Sequence, residues 1–490
     1  MSEDDFQVNE ILSRIEKKPE KNIFSKKPIA MIEGKSDVYN FKVLLLTEKI
    51  KNFDFLKIEH QIYGYVLCQI FNISRELGNK LIGSCKIIGY RDKGILERIR
   101  MPFNMDCKIE LAEDKFIEET IGLNRVGGAL IGTLENHENL KIKINYKELL
   151  TRHFSILAKS GVGKSYTVGV ILEEIMNLGV PILILDPHNE YSMIKIPNDK
   201  KEDIDKLNEL GLKPQGFEKY IKEWSPDITI NKSAQKISLN INDLTPEMLV
   251  NSLSQKLSPS QHNLLFNVLS NVNNRINFDE LIFDLSNEES NVKWSLITLI
   301  EQLKKDKIYE SNHTPLNELI KHNRCSIISL KGVVPRIQDL IVTNLLTMLF
   351  EARKKEQIPP FLLIVEEAHN FLPEKGIKSG VKSNEILRTI SAEGRKFGLG
   401  LGIISQRPAK LDKNVSSQCL TQIIMKLTNS HDLKSVIASS EGLDSNSENE
   451  IQNLPVGTCM LTGIIDIPLK VKIRAKQSKH GGETLNVIKN

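Results

Sequence analysis

Cysteine is scarce in this chain and carries no spacing signal. Cys68, Cys85, Cys107, Cys325, Cys419 and Cys459 contain no CxxC pair, so neither a disulfide framework nor a zinc ligand set is indicated, and a reducing compartment fits best. No apolar run approaches the roughly 18 residues that a membrane helix requires. The opening MSEDDFQVNE is acidic where a secretory signal would be basic, so a cytoplasmic protein with no membrane partner is expected. The net charge is only +4, far from a surface coated in positive potential, and any site for a polyanion must be local.

What is present is the composition of a folded protein. Hydrophobic residues make up 40% and charged residues 26% of the 490, ordinary globular usage in a chain longer than one core usually organises. Residues 1–22 read as a polar tail with Phe6, Ile11, Leu12 and Ile15 as possible anchors of a short amphipathic helix. From there to about residue 145 the text is short β-rich runs, among them YGYVLCQIFNI and LIGSCKIIGY, separated by glycines and charged turns. That spacing suggests a small barrel or sandwich. Near residue 152 the rhythm becomes strand, helix, strand, with VPILILDP an unbroken apolar run that suits a parallel sheet. Residues from about 201 to 320 read instead as successive amphipathic helices, an insertion, before strands resume at CSIISLKGV and PPFLLIVEEAHNF.

The stretch from Ala158 to Ser165 meets the phosphate-loop pattern G-x-x-x-x-G-K-[ST] at every position but the first, where alanine replaces glycine, and it lies between a strand and a helix. The candidate nucleotide-contacting residues are Ser160, Gly161, Val162, Gly163, Lys164, Ser165 and Tyr166. Free backbone N–H groups and the helix N-terminus would cradle the α and β phosphates of ATP. Lys164 would sit on the β and γ phosphates, and the Ser165 hydroxyl on Mg²⁺.

Hydrolysis requires a carboxylate at the end of a second buried strand, and FLLIVEEAH supplies two. Glu366 stands where the Mg²⁺-associated acid belongs, although aspartate is usual there, and Glu367 is the candidate base for the attacking water. His369 is read as a capping or packing residue. Other strand ends reach the same carboxyl edge of the sheet: Gln406 as a sensor of the γ-phosphate, and Asp186 and Glu190, for which turn formation and N-capping are equally open. Arg388 and Arg395 stand seven residues apart on one helix face, and either would suit an arginine that completes a neighbouring subunit's ATP site. Arg395 is the first candidate.

Taken in order, RHFSILAKSGVGKS, LDPHNEY, LLIVEEAH, EGRKFGLGLGIISQRP and LPVGTCMLTG followed by KVKIRAKQSKHGGE resemble HerA, the archaeal DNA-translocating helicase ATPase related to the FtsK motors. The resemblance implies an α/β, RecA-like P-loop NTPase core at 146–475 with a helical insertion at about 201–320, a small N-terminal HAS-barrel-like β-barrel at 23–145, and a C-terminal tail at 476–490. It further implies a homohexameric ring that threads duplex DNA and works with a NurA-like nuclease in end resection during double-strand break repair. Lys164 and Ser165 would match the phosphate-loop pair, Glu366 and Glu367 the acidic pair, Gln406 the sensor and Arg395 the trans arginine. Arg152 would match a basic residue near the nucleotide.

A ring motor needs mobile basic loops facing its pore. PEKGIKSGVKS offers Lys375, Lys378 and Lys382 among glycines, without aromatic residues for stacking on single strands, and LKGVVPRIQ offers Lys331 and Arg336. The reading is an ATP-driven duplex DNA translocase; the alternatives are a polymer-translocating ATPase of the secretion or conjugation type and a nucleotide-gated DNA clamp.

Overall fold

Short strands with one apolar face build the first unit of the chain, which ends at Thr120. The computed structural model describes residues 28–123, 127–270, 276–376, 380–465 and 467–481, so the expected N-terminal tail lies outside the described residues. Strands β1 (Ala30–Glu33), β2 (Asn40–Leu45), β3 (Phe55–His60), β4 (Gly64–Arg75), β5 (Leu81–Asp92), β6 (Ile95–Glu97) and β7 (Ile109–Leu111) pair antiparallel in the order β1-β2-β5-β4-β3-β7, with β6 on β5. Alternation sends Phe41, Val43, Ile58, Val66 and Ile70 into one apolar cluster. Ala30 and Ile32 of β1 join it, as does Ile109 of β7. The two outer strands thus share a core, and the sheet coils on itself.

The second unit, from Ile121, is built on a twelve-stranded sheet. Its strands are β8 (Ala129–Leu134), β9 (His137–Ile144), β10 (Phe154–Leu157), β11 (Ile182–Asp186), β12 (Ile221–Ser225), β13 (Gln235–Lys236), β16 (Cys325–Ser329), β17 (Phe361–Val365), β18 (Leu399–Ser405), β19 (Thr421–Ile424), β20 (Thr458–Thr462) and β21 (Leu469–Ile473). The remaining pair, β14 (Leu239–Asn240) and β15 (Tyr309–Glu310), forms a separate parallel ladder. The order in the large sheet is β13-β12-β16-β11-β17-β18-β10-β19-β20-β21-β8-β9. From β13 to β19 all pairs are parallel, and from β19 to β9 all are antiparallel. Composition follows this division. The central strands β10, β11, β16, β17, β18 and β19 are buried at every position, as a parallel sheet covered on both faces demands. β9, HENLKIKI, alternates exposed and buried residues at the antiparallel end.

Three sequence-based boundaries change. β8 and β9 fall inside the range expected for the barrel, yet β8 pairs with β21, so these residues extend the second unit's sheet. β9 alternates apolar and polar residues as the first unit's strands do, and only pairing separates them. The range expected to be a helical insertion contains β12 and β13, which extend the sheet beyond β16. The charged residues of IKEWS hid that strand: Glu223 is buried with the Lys195 ammonium 2.8 Å away, and the Lys222 ammonium lies over the Trp224 ring. The helical excursion itself runs from Pro246 to Lys305, and β14 and β15 tie its entry to its exit. Finally, Lys476, Gln477 and Ser478, expected in a tail, are buried. Polar text can be core when every group finds a partner. Residues 482–490 lie outside the described residues.

Among the described residues no helix is long and apolar enough to cross a membrane.

Candidate nucleotide site

β10 ends at Leu157, and the chain then turns through Gly161 at φ +79° and Gly163 at φ +103° into the helix Lys164–Asn177. Both glycines occupy the left-handed region that side chains disfavour. The helix starts with no side-chain cap and no acid in its own first turn, so no side chain caps its leading N–H groups at the positive end of its dipole. Such a terminus fits phosphate, and Ser160 to Tyr166 supply its backbone.

The acidic pair comes from β17, two strands from β10 with β18 between them. Lys164 Nζ stands 2.7 Å from Glu366 Oε2 and 2.9 Å from Glu367 Oε1, and all three side chains are buried. Glu367 holds φ +47°, a conformation costly outside glycine and of the kind that functional sites retain. Gln406, just past β18, donates from Nε2 to Glu367 Oε1 at 2.5 Å. Glu367 Oε2 has no hydrogen-bond donor among the described residues, and His369 Nδ1 stands 3.4 Å from it. A buried carboxylate oxygen without a donor suits a water. His369 Nδ1 also lies 3.1 Å from Ser405 Oγ, and burial lowers its pKa.

Charge in this cluster is set by burial against pairing. Burial pulls the Lys164 pKa down, but the Glu366 and Glu367 carboxylates reverse that and hold it above the ordinary lysine value. Burial raises Glu366 in spite of Lys164. Burial also pushes Glu367 upward, but Lys164 and Gln406 prevail and keep it below the ordinary value. Of the two, Glu367 is the more readily ionised, as a base requires.

β11 delivers two further acids. Ser165 Oγ donates to Glu190, which places the metal-candidate hydroxyl beside a third carboxylate. Asp186 is buried and accepts from the backbone N–H groups of His188, Glu190 and Tyr191, which is the turn-forming role. Tyr191, which sequence reasoning passed over inside LDPHNEY, is buried and its hydroxyl donates to Glu366 Oε1. Burial, with the negative charge of Glu366, raises Asp186 to about 7. The folded state then keeps a proton that the unfolded state releases near pH 4, so this group's contribution to stability falls as pH rises from about 4 to 7. Asp186→Asn removes that dependence. The gap in thermal midpoint between parent and variant, measured without nucleotide, is expected to move in the variant's favour between pH 5 and 7.5.

The profile of the family described as "Helicase HerA, central domain" matches residues 129–349. The "DNA double-strand break repair helicase HerA" of Sulfurisphaera tokodaii is 30% identical over 389 residues, covering 76% of this chain and 73% of that protein. The chain belongs to the HerA helicase family. The protein of the same description from Pyrococcus furiosus is 27% identical over 497 residues, covering 91% of this chain and 86% of its own length. Among solved structures, VirB4 of Thermoanaerobacter pseudethanolicus superposes with a TM-score of 0.52 and 15% identity over 72% of this chain and 98% of that one, a likeness of fold. HerA-family membership places the chain among ATP-hydrolysing P-loop helicases and translocases.

The remaining sequence candidates of this HerA-family chain are scattered. Arg388 is bound by Nε and Nη2 to the buried carboxylate of Asp412, the N-cap of the helix Lys413–Gln418, so its guanidinium is a structural counterion. Arg395 is exposed and makes no side-chain hydrogen bond or ion pair among the described residues. Arg152 is exposed and 3.4 Å from Glu148. The Tyr166 hydroxyl accepts from the Lys476 N–H at 2.8 Å, a contact with the C-terminal segment. Of the DNA candidates, Lys331 and Lys375 are exposed and Lys378 lies outside the described residues. Lys382 donates from Nζ to the carbonyls of Asn251 and Leu253 at 2.6 and 2.9 Å, and Arg336 pairs with Asp306 at 2.7 Å. Lys382 and Arg336 therefore leave the set of candidate DNA contacts, because their charges already have partners.

Proposed function

We propose that this chain is an ATP-dependent translocase and helicase on duplex DNA, acting in the cytoplasm as a ring of six copies, in double-strand break end resection alongside a NurA-like nuclease. The relatives' description as DNA double-strand break repair helicases supports the DNA substrate. One observation carries the reading at the site: the phosphate-loop lysine, two adjacent glutamates and a glutamine, each just past a separate strand, converge within hydrogen-bond distance, with the lysine and both glutamates buried.

Bound Mg-ATP supplies the phosphoanhydride whose hydrolysis drives movement. The residues that would hold it are the loop Ser160–Tyr166 and Lys164 for the phosphates, with Ser165 and Glu366 for the metal. With nucleotide bound, Lys164 would turn from its carboxylate partners to phosphate oxygens, leaving Glu367 available to take a proton from water. Gln406, now on Glu367, is the side chain free to report that exchange. Arg395, exposed and unpaired, is available to an adjacent copy, whereas Arg388 is not. Lys331 and Lys375 remain as sequence-independent contacts to DNA phosphates.

The test is ATP hydrolysis by the full chain with and without duplex DNA over a salt series. Duplex should stimulate turnover, with stimulation falling steeply as salt rises. Glu367→Gln should lower hydrolysis by roughly 10²–10⁴-fold while nucleotide binding persists. Stimulation by unfolded polypeptide and not by duplex would move the protein to the secretion class. ATP-dependent DNA binding with no displacement of a strand or roadblock would make it a clamp.

A further inference from the structure

His153 is buried, holds φ +50°, and precedes β10 directly, yet it is not part of the phosphate loop. Its ring joins two distant segments: Nε2 lies 3.0 Å from the Ser391 carbonyl, and the Leu401 N–H donates to Nδ1 at 3.0 Å. A carbonyl only accepts and an N–H only donates, so both bonds require the neutral tautomer with its proton on Nε2. Burial, assisted by the positive charge of Arg395, lowers the His153 pKa to about 4 and keeps the ring neutral.

Ser391 sits in the last turn of the helix Ser383–Glu393, where carbonyls lack intrahelical partners. That helix runs into the 3₁₀ turn Gly394–Phe397, which carries Arg395. The far end of the turn is held as well. Arg353 donates from Nε to the Phe397 carbonyl at 2.6 Å and from Nη1 to the Ile358 carbonyl at 3.0 Å, and the Phe397 ring packs edge-on to Phe350 at 5.7 Å. The strand that follows the turn, β18, is closely packed. A Cβ at Gly400 would stand 2.3 Å from the Leu150 carbonyl oxygen, and one at Gly402 would stand 2.4 Å from the Phe154 ring. Residues 150–154 therefore lie directly against β18, and β18 pairs with β10 in register Phe154 to Gly402.

The geometry points to His153 as a positioning residue for Arg395, with Arg353 as the second clamp: together they lock the turn that offers an arginine to the next subunit onto the strand that leads into the chain's own phosphate loop. This inference rests on the reading of Arg395 as the trans arginine. An exposed arginine loses entropy when it engages a target, so a fixed backbone reduces what remains to be ordered. The same block gives each phosphate loop a direct mechanical connection to the arginine used by its neighbour.

The test is made on full-length chains, alone and as mixed assemblies. His153→Asn tolerates the left-handed backbone but is too short to keep both bonds. It should lower kcat for ATP by roughly 10²-fold with little change in KM, the size expected for misplacement of a catalytic group by about 1 Å. His153→Gln, which offers both a donor and an acceptor, should recover much of the loss. Mixing His153→Asn with Glu367→Gln should restore hydrolysis, since some junctions combine an intact Glu367 with a well-placed Arg395. Rescue in Arg395→Ala plus Glu367→Gln without rescue for His153→Asn overturns the positioning role. No rescue in either mixture overturns the trans arginine itself. If His153→Asn does not fold, Arg353→Met enters the same mixtures, with rescue supporting the clamp and its absence overturning it.

Discussion

Lys164→Ala is expected to lower ATP hydrolysis by at least about 10²–10³-fold and to destabilise the nucleotide-free protein by about 3–5 kcal/mol. The second effect is the less usual one. Lys164 is the cation shared by Glu366 and Glu367, all three buried, and its removal leaves two buried carboxylates with their negative charges uncompensated. Such carboxylates recover neutrality by taking protons, which raises their folded-state pKa values. The penalty is then largest above those values and shrinks as pH falls through them. Urea unfolding at pH 5.5 and pH 8 should show a clearly smaller gap from the parent at the lower pH. Adding Glu366→Gln and Glu367→Gln to Lys164→Ala should recover stability and leave hydrolysis absent. An equal stability loss at both pH values would show that the lysine does not hold those acids together.

Arg474→Met should be the largest purely structural lesion, at about 3–5 kcal/mol. The Arg474 guanidinium is fully buried and donates to Glu173 Oε2 at 2.9 Å, to Glu174 Oε1 at 2.9 Å and to the Leu130 carbonyl at 2.8 Å. Glu173, in the phosphate-loop helix, also accepts from the N–H groups of Gln477 and Ser478 and from the Ser478 hydroxyl. The residues after β21 are thereby fastened along the helix that begins at Lys164. Removing the arginine leaves Glu173 buried without its counterion. Glu173→Gln added to Arg474→Met should return part of the lost stability, and chemical denaturation of the single and double variants measures that coupling. A loss under 1 kcal/mol for Arg474→Met would mean that the C-terminal segment is not held in this way.

The candidate nucleotide site could be read from the sequence because its pattern is local. A glycine turn between a strand and a helix is a contiguous signal, and so is a pair of glutamates after five apolar residues. The arginines were not legible in the same way. Arg388 and Arg395 read as one helix face, and nothing in EILRTISAEGRKF distinguishes the one that meets Asp412, 24 residues on, from the one that falls in the following 3₁₀ turn and is left free. The lysines behave likewise: Lys375 and Lys382 belong to one glycine-rich stretch, but the carbonyls that engage Lys382 come from residues 251 and 253. His153 gave no signal, since a single histidine before a strand has no pattern to recognise.

Taken alone, the order of residues determined that this chain holds a phosphate loop at 158–165, that Glu366 and Glu367 close a second buried strand, and that an α/β unit follows a β-rich one. Those features depend on neighbours within a few positions, where steric limits, hydrogen bonding and apolar periodicity act directly. Only the tertiary structure decided that β8 and β9 join the large sheet, that Arg474 and Ser478 are core, that Lys164 rests between two glutamates, and which basic groups remain unpaired. Each of these depends on contacts between residues that the sequence keeps apart, by hundreds of positions for β8, Arg474 and Lys164, and burial makes such contacts strong enough to override what local polarity suggests.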